Sequence, residues 1–439
     1  MHRFAAAIAF AACLGLSWPE AGWAARGLSF DDLVANLKSP NADTRERAVA
    51  ELGESRRREA IAPLSVLVRD PEVKVRMRLV RALRELRDVA GVPALVTSLG
   101  DGDPGIRDEV IGTLVEIYAE TDRTGPIGRF LNSFSDEMDR SSVPPYVRVD
   151  PSVHEALART LRDESGQIRE NAAYALGILD GRSALRDLTT ALQDPDPDVR
   201  AAAAAAIGKL GTTDDGRVLI PLLTDESTAV KLRVLHALGV LKVTAAGPAL
   251  REMYESNRKR EIGRRVLATL SRIGDPSQAD LFQQLVTERD PENKRLAVEG
   301  LGRLADPGRM DAFKKDYQRE KHDGVRLAYA FALTRLGDRA FLDTLVLTLP
   351  SRTLGKRSRG YIMELGRDML PDLYGYLGDP DSDVRASLCE IMGAIGDPAA
   401  IDRLTPLLGD PSSGVADRAN RAVERLRRGR SLQADNGRS

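Results

Sequence analysis

One stretch constrains the fold more than any other. From 184 to 211 the chain reads ALRDLTTALQDPDPDVRAAAAAAIGKLG, and most of the remaining sequence is a variation on it. Leu185, Leu188, Thr189 and Leu192 fall at i, i+3, i+4 and i+7, one face of a helix over about 183–193. Asp194-Pro195 ends it, because a residue before proline is pushed out of the helical region. Asp196 or Asp198 can cap a second helix by accepting from its free N–H groups. Val199, Ala202, Ala203, Ala206, Ile207 and Leu210 form the second stripe, and Gly211 suits the position just past a helix end. The alanines favour helix and let a neighbouring helix come close. A hairpin this small cannot bury its own apolar face, so it needs further copies to stack on.

The copies are present. The acidic-Pro-Val-Arg turn returns at Asp70-Pro71-Glu72-Val73-Lys74-Val75-Arg76, Asp103-Pro104-Gly105-Ile106-Arg107, Glu164-Ser165-Gly166-Gln167-Ile168-Arg169 and Asp379-Pro380-Asp381-Ser382-Asp383-Val384-Arg385. Weaker copies end at Arg45, Lys231, Lys294 and Arg326, and the basic residue recurs every 29–32 residues or a multiple of that. Gly274-Asp275, Gly337-Asp338 and Gly396-Asp397 supply stops, and first helices carry an early proline such as Pro63, Pro93, Pro221 or Pro406. This pattern resembles the HEAT family, specifically the short HEAT-like repeats also found in phycobilisome lyases, over about 28–427. The resemblance implies an all-α, right-handed α-solenoid of about thirteen helical hairpins, with first helices on one curved face and second helices on the other. It also implies a scaffold or binding platform with no cofactor.

Two departures from the repeat stand out. Arg107 and Arg169 are two periods apart with no turn motif between them. A first helix is expected near 125–136, but Pro144-Pro145 forbids a regular second helix. The expected result, within a degenerate repeat at 121–150, is an extended segment over about 137–150. Pro144, Pro145 and Tyr146 there are candidate partner-binding residues, and a decayed repeat that patches the gap is the other reading. The second departure is a loss of acid from the turns between 258 and 359. Arg258, Lys259 and Arg260, then Lys314, Lys315 and Lys321, then Arg352, Lys356, Arg357 and Arg359 take its place. Residues 251–367 carry 24 Lys and Arg against 17 Asp and Glu. Equivalent turns stack on one edge of a solenoid, so these residues predict a basic stripe for an acidic protein segment, an anionic envelope polymer or lipid headgroups. Glu255, Glu261, Asp316 and Glu320 would dilute it if the loops are ordinary solvated ones.

The recurrent arginines predict a second edge feature, an Asp from one turn beside the Arg of the next, as exposed pairs worth ~0–1 kcal/mol each. A net charge of −1 and sparse aromatics exclude wholesale nucleic-acid binding. His154, His236 and His322 are too far apart for one zinc site on a rigid array, and HExxH, phosphate-loop and GxSxG motifs are missing. A HEAT-type hydroxylase would need several His-Glu pairs; only His154-Glu155 matches. No metal or cofactor is expected, and an accessory lyase-like module is the weaker alternative.

The first 24 residues read as a signal peptide. His2 and Arg3 precede the apolar run of Phe4 to Leu16, and Gly22-Trp23-Ala24 places small residues for cleavage. A lipid anchor on Cys13 fits less well, because Phe10 is a poor residue three before it. The expectation is an exported, periplasmic or extracellular chain with no membrane span after cleavage, one remaining thiol at Cys389, and a disordered tail at 428–439. The functional expectation is a non-enzymatic scaffold for an unidentified protein partner.

Overall fold

The computed structural model describes residues 28–119, 143 and 147–436, with side chains to 429. The expected signal peptide, the helix near 125–136, and Pro144, Pro145 and Tyr146 lie outside them. Among the described residues the fold is entirely helical, twelve helical pairs stacked as a right-handed α-solenoid. Most first helices open with a single 3-10 turn and continue as a short α-helix, as in Arg182–Ala184 followed by Leu185–Ala191. One is 3-10 throughout, Asp215–Thr224, with Pro221 inside it. Second helices are longer, and each packs on the next along the whole array.

The turn chemistry explains the hairpin. In the 184–211 unit, Asp196 supplies the cap, its carboxylate accepting from the Asp198 N–H, and Pro197 opens Pro197–Leu210. Gly274, Gly337 and Gly396 end their helices at positive φ, the left-handed region that spares glycine a Cβ clash. Gly211 differs: its φ of −77° is extended backbone, so it acts as a break, not a left-handed cap.

The second helices approach closely along a seam of glycine against alanine. Gly53 meets Ala82, Gly177 meets Ala206, Gly208 meets Ala237, Gly302 meets Ala332 and Gly393 meets Ala422. A Cβ on Gly208 would lie 2.6 Å from the Ala237 methyl carbon. This seam is why the repeat needs small residues near the end of each second helix.

The stack continues past residues 120–150. Pro104–Tyr118 packs directly on Gly166–Ile178, so the units on either side of 120–150 are immediate neighbours. Val143 and Val147–Asp150 run without helix across this junction. The Val143 N–H donates to the Ile178 carbonyl at 3.2 Å, and Val143, Val147 and Val149 pack against the core. At the other end, Ser413–Asn436 continues as one helix where the sequence suggests a disordered tail from 428. A 24-residue helix seeded on a packed first half can carry a polar second half without a break signal.

Candidate interaction surface

The edge carrying the within-unit turns begins as a ladder of arginine clamps. Arg45 donates from Nε and Nη2 to the two carboxylate oxygens of Asp70, at 2.7 and 2.9 Å. Its Nη1 donates to the carbonyls of Ser39 and Pro40 in its own turn. The same fork recurs at Arg76–Asp101, Arg107–Asp163, Arg169–Asp194, Arg200–Asp225 and Arg385–Asp410. Each Arg thus reaches forward to the Asp of the following turn, the reverse of the polarity expected from sequence. Nor are these exposed pairs: Arg45 is 8% and Asp70 6% exposed. Two parallel bonds with both partners desolvated make a stiffer joint than a surface ion pair. Burial alone would raise the Asp70 carboxyl, but Arg45 and the Glu72 N–H hold it below its ordinary range. Arg107 and Asp163 are 56 residues apart where the other clamps span 25, so this joint closes across residues 120–150.

The ladder then weakens before it resumes at Arg385–Asp410: Arg264 reaches Asp290 with a single bond of 3.3 Å, and two joints lose their carboxylate. Ser256 and Ser351 occupy the places where Lys231 and Arg326 would find a carboxylate. Arg326 turns back to Asp323 of its own helix at 3.3 Å. Lys294–Glu320, at 2.5 Å, is a single-bond substitute.

The predicted basic stripe falls in this interrupted region, but only part of it stands free. Arg258 lies over the Tyr254 ring and pairs with Glu255 at 3.3 Å. Lys314 pairs with Asp338 at 2.8 Å, Arg357 faces Glu292 at 3.9 Å, and Arg359 pairs with Glu390. Lys356 is also engaged. Lys314 and Lys315 lie within the first helix Met310–Arg319, and Lys356, Arg357 and Arg359 within the second helix Gly355–Leu365, not in turns. The sequence pattern marks basic density but not where a helix ends, so the stripe shrinks to Lys259, Arg260, Lys321 and Arg352 in the turns, with Lys315 exposed on a helix beside them.

A second arrangement, which the sequence reading missed, lines the second helices of the same region. Arg303 donates to both carboxylate oxygens of Glu364 at 2.8 and 2.9 Å, and to the Ser271 hydroxyl at 2.9 Å. Glu299 accepts from Arg295 and from the Tyr361 hydroxyl, and its other oxygen lies 3.4 Å from Arg303. Phe331 stacks on Tyr361, and the Arg303 guanidinium also lies over the Phe331 ring. Glu299 is 6% and Tyr361 4% exposed. Burial raises Glu364, and Arg303 and Arg335 outweigh it, holding the carboxyl below its usual range. Aligned on the 184–211 unit, Arg295 and Glu299 replace Ala201 and Ala205. That exchange of two alanines for an i, i+4 charge pair is the signal that could have revealed the cluster.

On the wall of the ladder region Glu170 stands apart. Burial, with Asp198 and Asp196 nearby, pushes its carboxyl up to about 7. Cys389 is buried, and burial pushes its thiol up to about 11, which suits a core residue. His154 Nε2 meets the Leu179 carbonyl at 2.8 Å, a structural contact. Among the described residues, no group of His, Cys, Asp and Glu is placed to hold a metal ion, and no helix is long and apolar enough to cross a membrane. An open groove of about 340 Å³ runs between Val68 and Gly102, but the Arg76 and Asp101 groups lining it already serve the ladder.

Comparison with known proteins agrees with this architecture. A family model described as HEAT repeats matches residues 30–115, 153–226, 216–291 and 352–426. No curated protein matches the chain in sequence. Among solved structures, an engineered protein is 19% identical with a TM-score of 0.35, the match covering 91% of this chain and 98% of that one. A structure of Kap95p with RanGDP is 13% identical with a TM-score of 0.48, covering 92% of this chain and 57% of the other. The CpcE–CpcF phycocyanin lyase complex of Nostoc is 19% identical with a TM-score of 0.28, covering 66% and 98%. The matched repeats span well over half of the sequence, and the chain belongs to the HEAT-repeat family.

Proposed function

We propose that this protein is an exported, non-enzymatic scaffold that binds an anionic segment of another protein along the turn edge of residues 258–359. One observation carries the reading. Elsewhere on this edge the recurrent arginines are locked into joints, whereas Lys259, Arg260, Lys321 and Arg352 project into solvent where the ladder is interrupted. Four cations on three of four successive turns present a spaced row of charge, which favours an extended acidic partner and speeds its encounter. The apolar run at Phe4 to Leu16 supports export and a periplasmic or extracellular address. The near-neutral chain and sparse aromatics argue against nucleic acid as the partner.

Co-purification from the envelope fraction tests the proposal. The wild type should retain a specific acidic protein, and a variant with Lys259, Arg260, Lys321 and Arg352 replaced by Ser should lose it. Equal recovery on both chains would sink the edge as the binding site. The same edge fits an anionic envelope polymer, and retention of the wild type, but not the variant, on a polyanionic matrix with no protein recovered would favour that reading.

A further inference from the structure

We infer that the array has one adjustable joint, between the second helices Asp323–Arg335 and Gly355–Leu365, and that the Arg303–Glu364 pair latches it closed. Four observations place the joint there. These two helices touch least of all neighbouring second helices among the described residues. The apolar core divides along the first of these helices: Val325, Ala328, Tyr329 and Leu333 belong to the core that runs back to Leu33, and Leu327, Ala330 and Phe331 to the core that runs on through Tyr361 and Ile362 to Leu426. The edge clamp is missing here, because Ser351 stands where Arg326 would need a carboxylate. Finally, the first helix of the second unit is short, Leu342–Leu347, and a seven-residue turn follows before Gly355.

A repeat array is stiff where neighbouring layers interlock and bends where they do not. The latch has the geometry such a bend requires. Arg303 lies on Pro291–Arg303 and Glu364 on Gly355–Leu365, with Asp323–Arg335 between them. A bidentate pair 61 residues apart skips a whole layer, so it forms only at one angle of the joint. Phe331, which contacts both the Arg303 guanidinium and the Tyr361 ring, belongs to the middle layer and ties the two together. Arg295 and Tyr361 hold Glu299 beside the latch. Releasing the pair would let the C-terminal units swing away and change the curvature of the face that units on either side of the joint share.

Spin labels across the joint test this in the full chain, with Cys13 and Cys389 replaced by Ala. Labels at Arg265→Cys and Asp383→Cys straddle the joint, and labels at Arg47→Cys and Asp198→Cys report on the ladder region. Double electron–electron resonance should give a narrow 265–383 distance distribution in the parent. Glu364→Gln, which keeps the shape and one acceptor, should broaden that distribution and shift it to longer distance, with the 47–198 distribution unchanged. Arg326→Gln, which removes a neighbouring charge outside the latch, should alter neither. No change at 265–383 in Glu364→Gln would overturn the latch. Equal broadening at both label pairs, or the same effect from Arg326→Gln, would overturn a localised joint.

Discussion

The ladder region, 41–228, and the region from 258 to 365 use the same repeat but hold register by different means. In the first, one guanidinium per joint clamps two turns at the edge; behind it alanines line Gly166–Ile178 and Pro197–Leu210, and partly exposed pairs such as Arg84–Glu109 join the earlier second helices. In the second, the edge clamps are reduced to the single bonds of Arg264–Asp290 and Lys294–Glu320, and a buried network of Arg295, Glu299, Arg303, Tyr361 and Glu364 interlocks on the helices. A cation that clamps a joint is not available to a partner. In the second region the buried charges lie between the helices, and the turn cations Lys259, Arg260, Lys321 and Arg352 face solvent on the edge.

Substitutions can break this contrast from either side. Glu299→Ala should do the most damage, because it leaves Arg295 and Arg303 buried with one fewer acid. Chemical unfolding should show a loss of about 3–5 kcal/mol. Gly208→Val places side-chain carbon against Ala237 in the ladder region, and should cost about 1–3 kcal/mol without touching any charge. That variant separates packing from clamping. Asp194→Ala should cost somewhat less, about 1–2 kcal/mol, by stranding one face of a nearly buried Arg169.

Asp194 also carries a pH signature. Burial opposes its ionisation, but Arg169 and the Asp196 N–H prevail and hold the carboxyl low. Its contribution is therefore present above the ordinary aspartate range and lost as pH falls through the lowered folded value. Asp194→Ala should flatten the acid limb of the stability profile below about pH 4. Glu170 works in the opposite sense. Its raised carboxyl gives stability that is complete below the ordinary glutamate range and lost as pH rises through about 7. Glu170→Gln should stabilise the protein by on the order of 1 kcal/mol at pH 8 and change little at pH 5.

Much of this was legible in the chain. The turn motif at Asp194–Arg200 carries its own cap, break and clamp, so local residues dictate both the hairpin and its stacking edge. The polarity of the clamp was not legible, because an Arg every 31 residues pairs equally well forward or backward until the helix crossing is known. Lys314 was placed in a turn because a basic run on a first helix and a basic turn share a composition. The Arg303–Glu364 pair was hidden because it depends on the curvature of three layers, which no single repeat encodes. Arg295 and Glu299 stand as charges where the 184–211 unit has alanine, the local trace that the cluster leaves in the sequence.

Hydrogen exchange with mass spectrometry on Asp194→Ala and Glu299→Ala tests the division of labour most directly. Asp194→Ala should speed exchange in Gly166–Ile178 and Pro197–Leu210 and leave Asp323–Arg335 protected as in the wild type. Glu299→Ala should do the reverse, loosening Pro291–Arg303 through Gly355–Leu365 and sparing the ladder. If either variant instead raises exchange evenly along the whole chain, the two regions are not held independently and the account is wrong.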